Sequence, residues 1–307
     1  CSALRAGGTP ALAVFPEHVG TFLALVPLGR LGALLPSTDT AAALAVLLRP
    51  RSFARALARR GLRGLVGGGA VATAILALAR EVRDIYERTF AELARESGMS
   101  IVAGSALLPD GDESAEVYNL SLTFGPDGSL RAVTRKVNLV PQVEDALGLS
   151  RGDPERNEPA EVDAGRIGTL VCYDGFAVPH TPRGPGWRAA AGSLARRGAH
   201  VLAQPAANPW PWNGRWVHAP ADSALLRRAE WRREGLAAQL PSLDGVRYAV
   251  TAHLIGRVLD RRFEGRSEIL ARRPDGRVEV LAEAERADCS PVSETVVHAR
   301  VEADWLS

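Results

Sequence analysis

The stretch Arg166-Ile-Gly-Thr-Leu-Val-Cys172-Tyr-Asp174 decides how the fold of this sequence is interpreted. Its run of apolar residues predicts a buried β-strand that ends at the cysteine. Functional side chains of α/β proteins gather at the carboxyl ends of strands, which favours a reactive role for Cys172. A lone strand-end cysteine is more often a small buried apolar residue, so the interpretation depends on the rest of the chain.

Two further segments place a reactive side chain at the end of a predicted strand. Residues 11–15 (ALAVF) predict a short strand that runs into Pro16-Glu17, and residues 129–136 predict one that ends at Lys136. Lys136 is the only lysine, whereas all the other basic residues are arginines. A compact ammonium shifts its pKa and turns its donors more readily than a guanidinium, so this position favours a functional role.

Together the three side chains make a chemically complete set. A free thiol has a pKa of about 8.5 and is only a few per cent thiolate at neutral pH, so a reactive Cys172 needs a base or a cation beside it. Glu17 is the candidate base. Lys136 is the candidate cation for the thiolate and for a later oxyanion, with the backbone N–H of Tyr173 as the second donor.

Strands and helices alternate along the chain, but hairpins interrupt the alternation. This pattern predicts an α/β protein with two mixed sheets covered by helices, in one domain that spans residues 1–307. Strands are predicted near 100–108 and at 117–124, 129–136, 166–172, 199–204, 246–254, 267–273 and 277–284. Helices are predicted at 80–97, 187–198 and 221–240.

Composition narrows the class of protein. The 307 residues are 46% hydrophobic and 23% charged, which is typical of a soluble globular protein. The formal net charge of +2 argues against a dedicated nucleic-acid binder, and Arg-Arg pairs such as Arg227-Arg228 are expected on solvated faces. The three cysteines, Cys1, Cys172 and Cys289, show no spacing typical of zinc sites. We therefore expect a reduced, cytoplasmic protein without a metal.

Three spaced motifs resemble those of the nitrilase, or carbon–nitrogen hydrolase, superfamily. They are Phe15-Pro-Glu17, the run Lys136-x-x-Leu139-x-Pro141-x-x-Glu144, and Cys172-Tyr-Asp174. Further landmarks of the family are matched by Gly104, Tyr118-Asn119, Gly198-Ala199 and Phe263-Glu-Gly265-Arg-Ser267. The resemblance covers about residues 8–18 and 82–304, with the motifs in the family's order and spacing.

The resemblance implies a four-layer αββα sandwich, often paired into homodimers. It also implies hydrolysis of nonpeptide carbon–nitrogen bonds through a thioester, without a cofactor. Glu17, Lys136 and Cys172 would be the catalytic residues, and Glu144 a second glutamate that orients Lys136 or a water. Tyr173-Asp174 favours an amidase-like member, so the expected small-molecule substrate is an amide or a carbamoyl compound, with a nitrile as the alternative.

The sequence departs from the family pattern in three places. The loop after Asp174 is one residue longer than usual and ends at His180, which leaves the substrate subgroup open. The 20–79 segment is longer and more apolar than the usual link, with arginines every four residues from Arg51 to Arg63. It predicts a covering helical layer or lid, with contact to a membrane surface or a partner as the alternative. The family's first strand is expected upstream of residue 1.

The tryptophan-rich loop after residues 199–204 supplies candidate pocket residues. Trp210 and Trp212 are predicted to line the substrate pocket because indole rings offer large apolar surfaces with a polar edge. Tyr118 and His180 are predicted as further substrate contacts.

Three alternatives to this interpretation stay open. In the first, a histidine rather than Glu17 is the base, with His180, His218 and His253 as candidates and Glu17 far from the thiol. In the second, the protein transfers an acyl group to an amine instead of to water. In the third, it is a non-catalytic binding or scaffold member of the same fold.

Overall fold

The computed structural model describes residues 9–32, 34–180, 186–288 and 295–302. Cys1, Cys289 and the strand expected upstream of residue 1 lie outside the described residues. The strands are β1 (Leu12–Val14), β2 (Ser100–Val102), β3 (Ala106–Pro109), β4 (Val117–Phe124), β5 (Leu130–Arg135), β6 (Ala160–Val162), β7 (Gly165–Thr169), β8 (Val201–Ala207), β9 (Tyr248–Leu254), β10 (Gly256–Val258), β11 (Arg261–Phe263), β12 (Glu268–Arg272) and β13 (Val278–Glu283).

Seven α-helices and several 3₁₀ helices accompany these strands in the described ranges. The α-helices are α1 (Gly29–Gly32), α2 (Thr38–Leu47), α3 (Pro50–Arg60), α4 (Gly68–Ser97), α5 (Ala190–Arg196), α6 (Arg227–Glu234) and α7 (Leu236–Gln239). The 3₁₀ helices are Thr21–Leu28, Gly61–Leu65, Asp145–Leu147, Pro154–Arg156, Cys172–Gly175 and Leu240–Ser242.

Most of the strands form two large mixed sheets, while β10 and β11 pair with each other in a separate antiparallel hairpin. In the first, β4 is central: β2 and β3 pair antiparallel with successive parts of one side, β5 pairs with the other side, and β1 adds parallel to β2. The second has the order β13-β12-β9-β8-β7-β6 and is parallel only among β7, β8 and β9. The hairpins predicted at 117–136 and 267–284 are confirmed.

The two sheets face each other, and helices cover their outer faces. Val102 of the first sheet packs against Ile167 and Ala203 of the second. On the outer face of the first sheet, Tyr86 and Phe90 of α4 pack in one cluster with strand residues such as Leu122. Helices α5 and α7 cover the second sheet in a separate cluster. The predicted αββα sandwich is confirmed, because each sheet buries both of its faces.

Two helix predictions need correction. The helix predicted at 80–97 begins earlier, at Gly68, and runs for 30 residues. The prediction of one helix at 221–240 is wrong in its first part, because α6 starts only at Arg227. The helix is also interrupted at Gly235, which separates α6 from α7. Residues before α6 instead form a loop that is closed by Arg227 N–H donating to Gly214 O at 3.0 Å. The tertiary hydrogen bond to Gly214 therefore outweighs the helix propensity of the residues before Arg227.

The 20–79 segment forms a helical layer against α4, as the sequence predicts. The arginines Arg51, Arg55 and Arg59 lie exposed on one face of α3, while Ala56 is buried. Exposed large apolar side chains also accumulate in this segment: Val26, Leu31, Leu34, Leu47, Leu48, Leu62, Leu65, Val66 and Val71. Among the described helices, none combines the length and apolar character needed to cross a bilayer. Contact with a membrane surface stays a prediction.

Gly104 fixes the position of the chain that carries Glu17. Its φ is +75°, and a Cβ built on it would lie 2.1 Å from the backbone oxygen of Pro16. Only glycine combines this backbone conformation with so close an approach. The loop after β1 therefore depends on the absence of a side chain in the loop after β2.

We expect Gly104→Ala to destabilise the fold more than Gly111→Ala does. Both glycines have a positive φ, but a Cβ at Gly111 would meet nothing within 4 Å. The left-handed backbone alone costs an alanine about 1–2 kcal/mol. Gly104→Ala adds the clash with Pro16, so its free energy of unfolding in urea should fall further than that of Gly111→Ala. Equal losses in the two variants would show that the Pro16 contact does not matter.

Candidate active site

Four predicted side chains meet in the interior. Glu17 follows β1, Lys136 follows β5, Glu144 precedes the 3₁₀ helix Asp145–Leu147, and Cys172 follows β7. Their residues are 1%, 1%, 3% and 4% exposed, in that order. Lys136 Nζ lies 2.8 Å from Glu17 Oε1 and 2.6 Å from Glu144 Oε2. One buried ammonium therefore bridges two buried carboxylates.

Asn119 completes this charged cluster. Its Nδ2 donates to Glu17 Oε1 at 2.9 Å and to Glu144 Oε1 at 3.0 Å. Glu144 also accepts a hydrogen bond from the backbone N–H of Val140 at 2.9 Å. Sequence reasoning noted Tyr118-Asn119 only as a landmark and gave the substrate role to Tyr118. The alternation of a strand sends Asn119 and Tyr118 to opposite faces, and Asn119 is the one that reaches the site.

The contacts in this cluster keep Glu17 and Lys136 charged. Burial alone would lower the pKa of Lys136, but Glu144 and Glu17 outweigh it and hold this pKa well above the ordinary value. Burial would raise the pKa of Glu17, yet Lys136, His18 and the Cys172 thiol together hold it below the ordinary value. At neutral pH Glu17 is therefore a carboxylate and Lys136 an ammonium.

The Cys172 thiol behaves differently. Burial raises its pKa, the charge of Glu17 raises it further, and Lys136 lowers it only in part. The resting state pairs a protonated thiol with an ionised glutamate rather than a thiolate with a cation. The thiol donates to the backbone oxygen of Ala207 at 3.7 Å. Glu17 also lies close enough to the thiol for each group to shift the pKa of the other, so the alternative in which Glu17 lies far from Cys172 is wrong.

The backbone of Cys172 is held in a strained turn. Its φ is 49°, in the left-handed region that non-glycine residues rarely adopt. Gln204 Nε2 donates to the Cys172 carbonyl oxygen at 2.7 Å, and Thr251 Oγ1 donates to Gln204 Oε1 at 2.9 Å. A Cβ on Gly175 would lie 2.1 Å from Gln204 Nε2. The sharp turn from β7 into the 3₁₀ helix thus depends on neighbouring strands β8 and β9.

Asp174 connects the cysteine turn to the lysine loop. Its carboxylate accepts the backbone N–H of Val137 at 3.0 Å and that of Asn138 at 2.7 Å. Burial raises the pKa of Asp174 to about 7, although these two N–H groups oppose the rise. The Cys-Tyr-Asp motif contained this residue, but sequence alone did not reveal that it positions the chain just after Lys136.

A close contact between glycines positions the loop that carries Glu144. A Cβ on Gly68 would lie 2.6 Å from Gly148 N, and one on Gly148 would lie 2.3 Å from Gly68 O. Gly68 begins α4, and Gly148 follows the 3₁₀ helix after Glu144. The contact between Gly68 and Gly148 therefore brings the 20–79 segment against the loop that carries Glu144.

A cavity of about 480 Å³ opens onto Cys172, Lys136 and Glu17. Trp210, His180 and Tyr173 line it, and the role of Trp210 and His180 as substrate contacts stays a prediction. The first turn of the helix Cys172–Gly175 includes the backbone N–H of Tyr173, and such first-turn groups lack helical acceptors.

Two predicted pocket residues lie elsewhere. Trp212 packs against Trp231 and His253, with ring centroids 5.9 Å and 5.2 Å away, beside a separate polar cavity of about 390 Å³. Tyr118 packs against the core under α4. The prediction that they line the substrate pocket is wrong, because neighbouring residues of a loop or a strand point in different directions.

The buried histidines are neutral. Burial lowers the pKa of His180 to about 2 and that of His253 to about 3. His180 donates its backbone N–H to the Tyr173 hydroxyl, and its Nδ1 lies 3.2 Å from Glu230 Oε1. His253 is absent from the lining of the Cys172 cavity. Neither one has the electrostatic interaction with the thiol that Glu17 has.

Sequence reasoning missed Arg227, which is buried rather than solvated. It is 2% exposed and lines the Cys172 cavity. Its Nε donates to Asn208 Oδ1 at 2.8 Å and its Nη1 to Glu230 Oε2 at 2.5 Å. The guanidinium carbon lies 3.8 Å from the centroid of the Trp216 ring, a cation–π contact. An Arg-Arg pair gives no sign of which arginine turns inward.

Within the described residues, one group of side chains has the spacing of a metal site. Ligand atoms of Glu17, His18 and Glu144 lie within 4.8 Å of one another. The Lys136 ammonium already lies at 2.8 Å and 2.6 Å from the two carboxylates. A divalent cation between these carboxylates would meet that positive charge at close range, so the arrangement does not fit a metal.

Comparison with known proteins gives a partial family match and one curated relative. A family model described as carbon-nitrogen hydrolase matches residues 66–178. Omega-amidase NIT2 from Xenopus tropicalis is 32% identical over 90 residues, which are 27% of this chain and 31% of that protein. The chain therefore spans about a third of the length of this curated relative.

Solved structures share the fold. A carbon-nitrogen hydrolase from Helicobacter pylori G27 aligns with a TM-score of 0.52 and 20% identity, over 69% of this chain and 65% of that one. A double mutant of the amidase from Nesterenkonia sp. AN1, in complex with acrylamide, aligns with a TM-score of 0.50 and 18% identity, over 98% and 94%. These two likenesses show a shared fold, and the match to the carbon-nitrogen hydrolase family model is confined to residues 66–178.

Proposed function

We propose that the protein hydrolyses a nonpeptide carbon–nitrogen bond of an amide through a thioester on Cys172. The observation that carries the proposal is a buried, ionised Glu17 that pairs with the Lys136 ammonium and interacts electrostatically with the Cys172 thiol, at the wall of a cavity. A base that is paired with a cation and close to a nucleophile is what acyl transfer to a thiol requires.

In the acylation step, the sulfur of Cys172 attacks the carbonyl carbon while Glu17 takes the thiol proton. Negative charge develops on the carbonyl oxygen, where the Lys136 ammonium and the backbone N–H of Tyr173 donate hydrogen bonds. The protonated Glu17 then gives its proton to the departing amine as the carbon–nitrogen bond breaks. The acyl group is left on the sulfur as a thioester.

In the second step, water attacks the thioester carbon and Glu17 accepts a proton from it. The carbon–sulfur bond breaks, the carboxylic acid leaves, and the thiol regains its proton. Glu144 acts through Lys136 as a positioning residue, because its carboxylate holds the ammonium at 2.6 Å. An amine in place of water would give acyl transfer, so the nature of the acceptor decides between the two reactions.

We expect Cys172→Ala to lower amide hydrolysis by at least about 10³-fold, because loss of the nucleophile removes the covalent path. The measurement is release of ammonia from a panel of primary amides, with mass spectrometry of the intact protein to detect the acyl adduct on wild-type enzyme. Addition of amine acceptors separates hydrolysis from acyl transfer by product. Hydrolysis that survives in folded Cys172→Ala protein would refute the assignment of the nucleophile.

We expect alkylation of Cys172 by iodoacetamide to change little between pH 6 and 8. The pKa of Glu17 is lowered, so this base is already ionised throughout that range, and the rate should fall only as the pH drops through the Glu17 pKa. The pKa of the thiol is raised, so free thiolate contributes little. The alkylation rate of a free thiol would instead rise roughly tenfold with each increase of one pH unit, as long as the pH stays below the pKa of the thiol.

The matched variants are Glu17→Gln and Glu113→Gln, read out on the peptide that contains Cys172. Glu17→Gln should react more slowly at pH 7 and regain the steep rise with pH. Glu113→Gln should leave the alkylation rate of Cys172 unchanged, because the side chain of Glu113 is 92% exposed. A steep pH dependence in the wild-type protein would contradict Glu17 as the base, and failure to label Cys172 at all would favour the non-catalytic alternative.

A further inference from the structure

We infer that the cavity takes an amide whose acyl group carries a long apolar chain, and that the 20–79 segment forms the binding site for this chain. The inference deepens the proposed function and rests on it. It assigns a role to the segment in which the sequence departs from the family pattern.

One arm of the cavity is built by the 20–79 segment. The 3₁₀ helix Thr21–Leu28, helix α2 and the first half of α4 all supply lining residues. Those that line it are Thr21, Phe22, Ala24, Leu25, Thr38, Asp39, Ala42, Val71, Ala74, Ile75 and Leu78. Most of them are apolar, so this arm offers an apolar chain mainly apolar contacts.

The lining positions of α4 follow a helical stripe. Val71, Ala74, Ile75, Leu78 and Val82 have the i, i+3, i+4, i+7, i+11 spacing of one helical face, and all five line the cavity. An apolar stripe of this kind ordinarily faces a protein core. Here it faces the same cavity as the Cys172 thiol.

The charged residues of this arm lie at its rim. Asp39 at the start of α2 forms an ion pair with Arg261 of β11 at 3.2 Å, and both side chains are more than half exposed. Thr38 donates its backbone N–H to Asp260 at 2.7 Å and its hydroxyl at 2.9 Å. These bonds tie α2 to the β10–β11 hairpin and leave the charges of the rim paired with each other.

The size of the cavity also favours an extended substrate. Its volume of about 480 Å³ falls within the roughly 300–1,000 Å³ typical of sites for drug-sized ligands. A short amide would contact only the part next to Cys172. The alanines Ala24, Ala42 and Ala74 keep the arm wide, because larger side chains at these positions would extend into it.

The chain is assigned to the acyl side of the substrate for a chemical reason. The acyl group stays bound through both steps of the proposed reaction, whereas the amine leaves after the first. Contacts with an acyl chain therefore hold the carbonyl carbon next to the thiol in the first step. In the second step they hold the thioester in position for attack by water. Each buried methylene should tighten binding by up to about fourfold.

The test compares straight-chain primary amides of increasing length, from acetamide to decanamide. In the wild-type protein kcat/KM should rise with chain length until the arm is filled. Ala42→Phe and Ala74→Phe, each of which narrows the arm from a different helix, should lower the decanamide-to-propionamide ratio of kcat/KM at least tenfold. Ala43→Phe is the matched control, because Ala43 lies on α2 but is exposed and outside the cavity lining.

The same amides are also titrated by calorimetry against Cys172→Ala protein, so that binding is measured without turnover. Binding that tightens with chain length, and that Ala74→Phe weakens, supports the arm even where no amide is hydrolysed. Ala74→Leu is the milder variant if either phenylalanine variant melts far below the wild type. Turnover of short amides without a gain for long ones, and without tighter binding, overturns the inference and leaves the proposed function standing.

Discussion

The Lys136 ammonium between the Glu17 and Glu144 carboxylates is the interaction on which the site depends. Ions taken out of water are stable only where partners replace their hydration, and removal of one partner leaves an uncompensated buried charge. Asn119, which donates to both carboxylates, supplies further compensation. No segment of the chain holds this cluster alone, since its members follow β1, lie on β4, follow β5 and precede a 3₁₀ helix.

The backbone around the cluster is fixed by close approaches rather than by bulk packing. Gly104 lets the loop of Glu17 pass over the end of β2, and the pair of Gly68 and Gly148 lets α4 meet the loop of Glu144. Asp174 binds the N–H groups of Val137 and Asn138 and so joins the cysteine turn to the lysine loop. Each contact removes freedom from one side chain of the cluster or from the cysteine turn, which is how a scaffold holds a site within a fraction of an ångström.

Sequence reasoning recovered the parts of the molecule whose signals are local. Strand β4 was predicted at 117–124, where it lies, because alternation and the following turn mark both of its ends. The order and spacing of the motifs were enough to group Glu17, Lys136, Glu144 and Cys172 into one predicted site, without any knowledge of their positions in space. The side-chain positions that depend on tertiary packing have no local signal in the sequence. Arg227 is buried against Trp216 and Glu230, although its neighbour Arg228 is exposed. Trp210 lines the Cys172 cavity, whereas Trp212 does not.

Charge conservation explains why this site suits a thiol that rests protonated. The three ions Glu17, Lys136 and Glu144 together carry one negative charge, and a thiolate formed by loss of a proton to solvent would add a second in the same buried space. In the proposed reaction the proton passes from Cys172 to Glu17, so the buried total stays at one negative charge while that charge moves to the carbonyl oxygen beside Lys136. Since the total stays constant, no ion has to enter from water, and an apolar chain next to the site does not oppose the step.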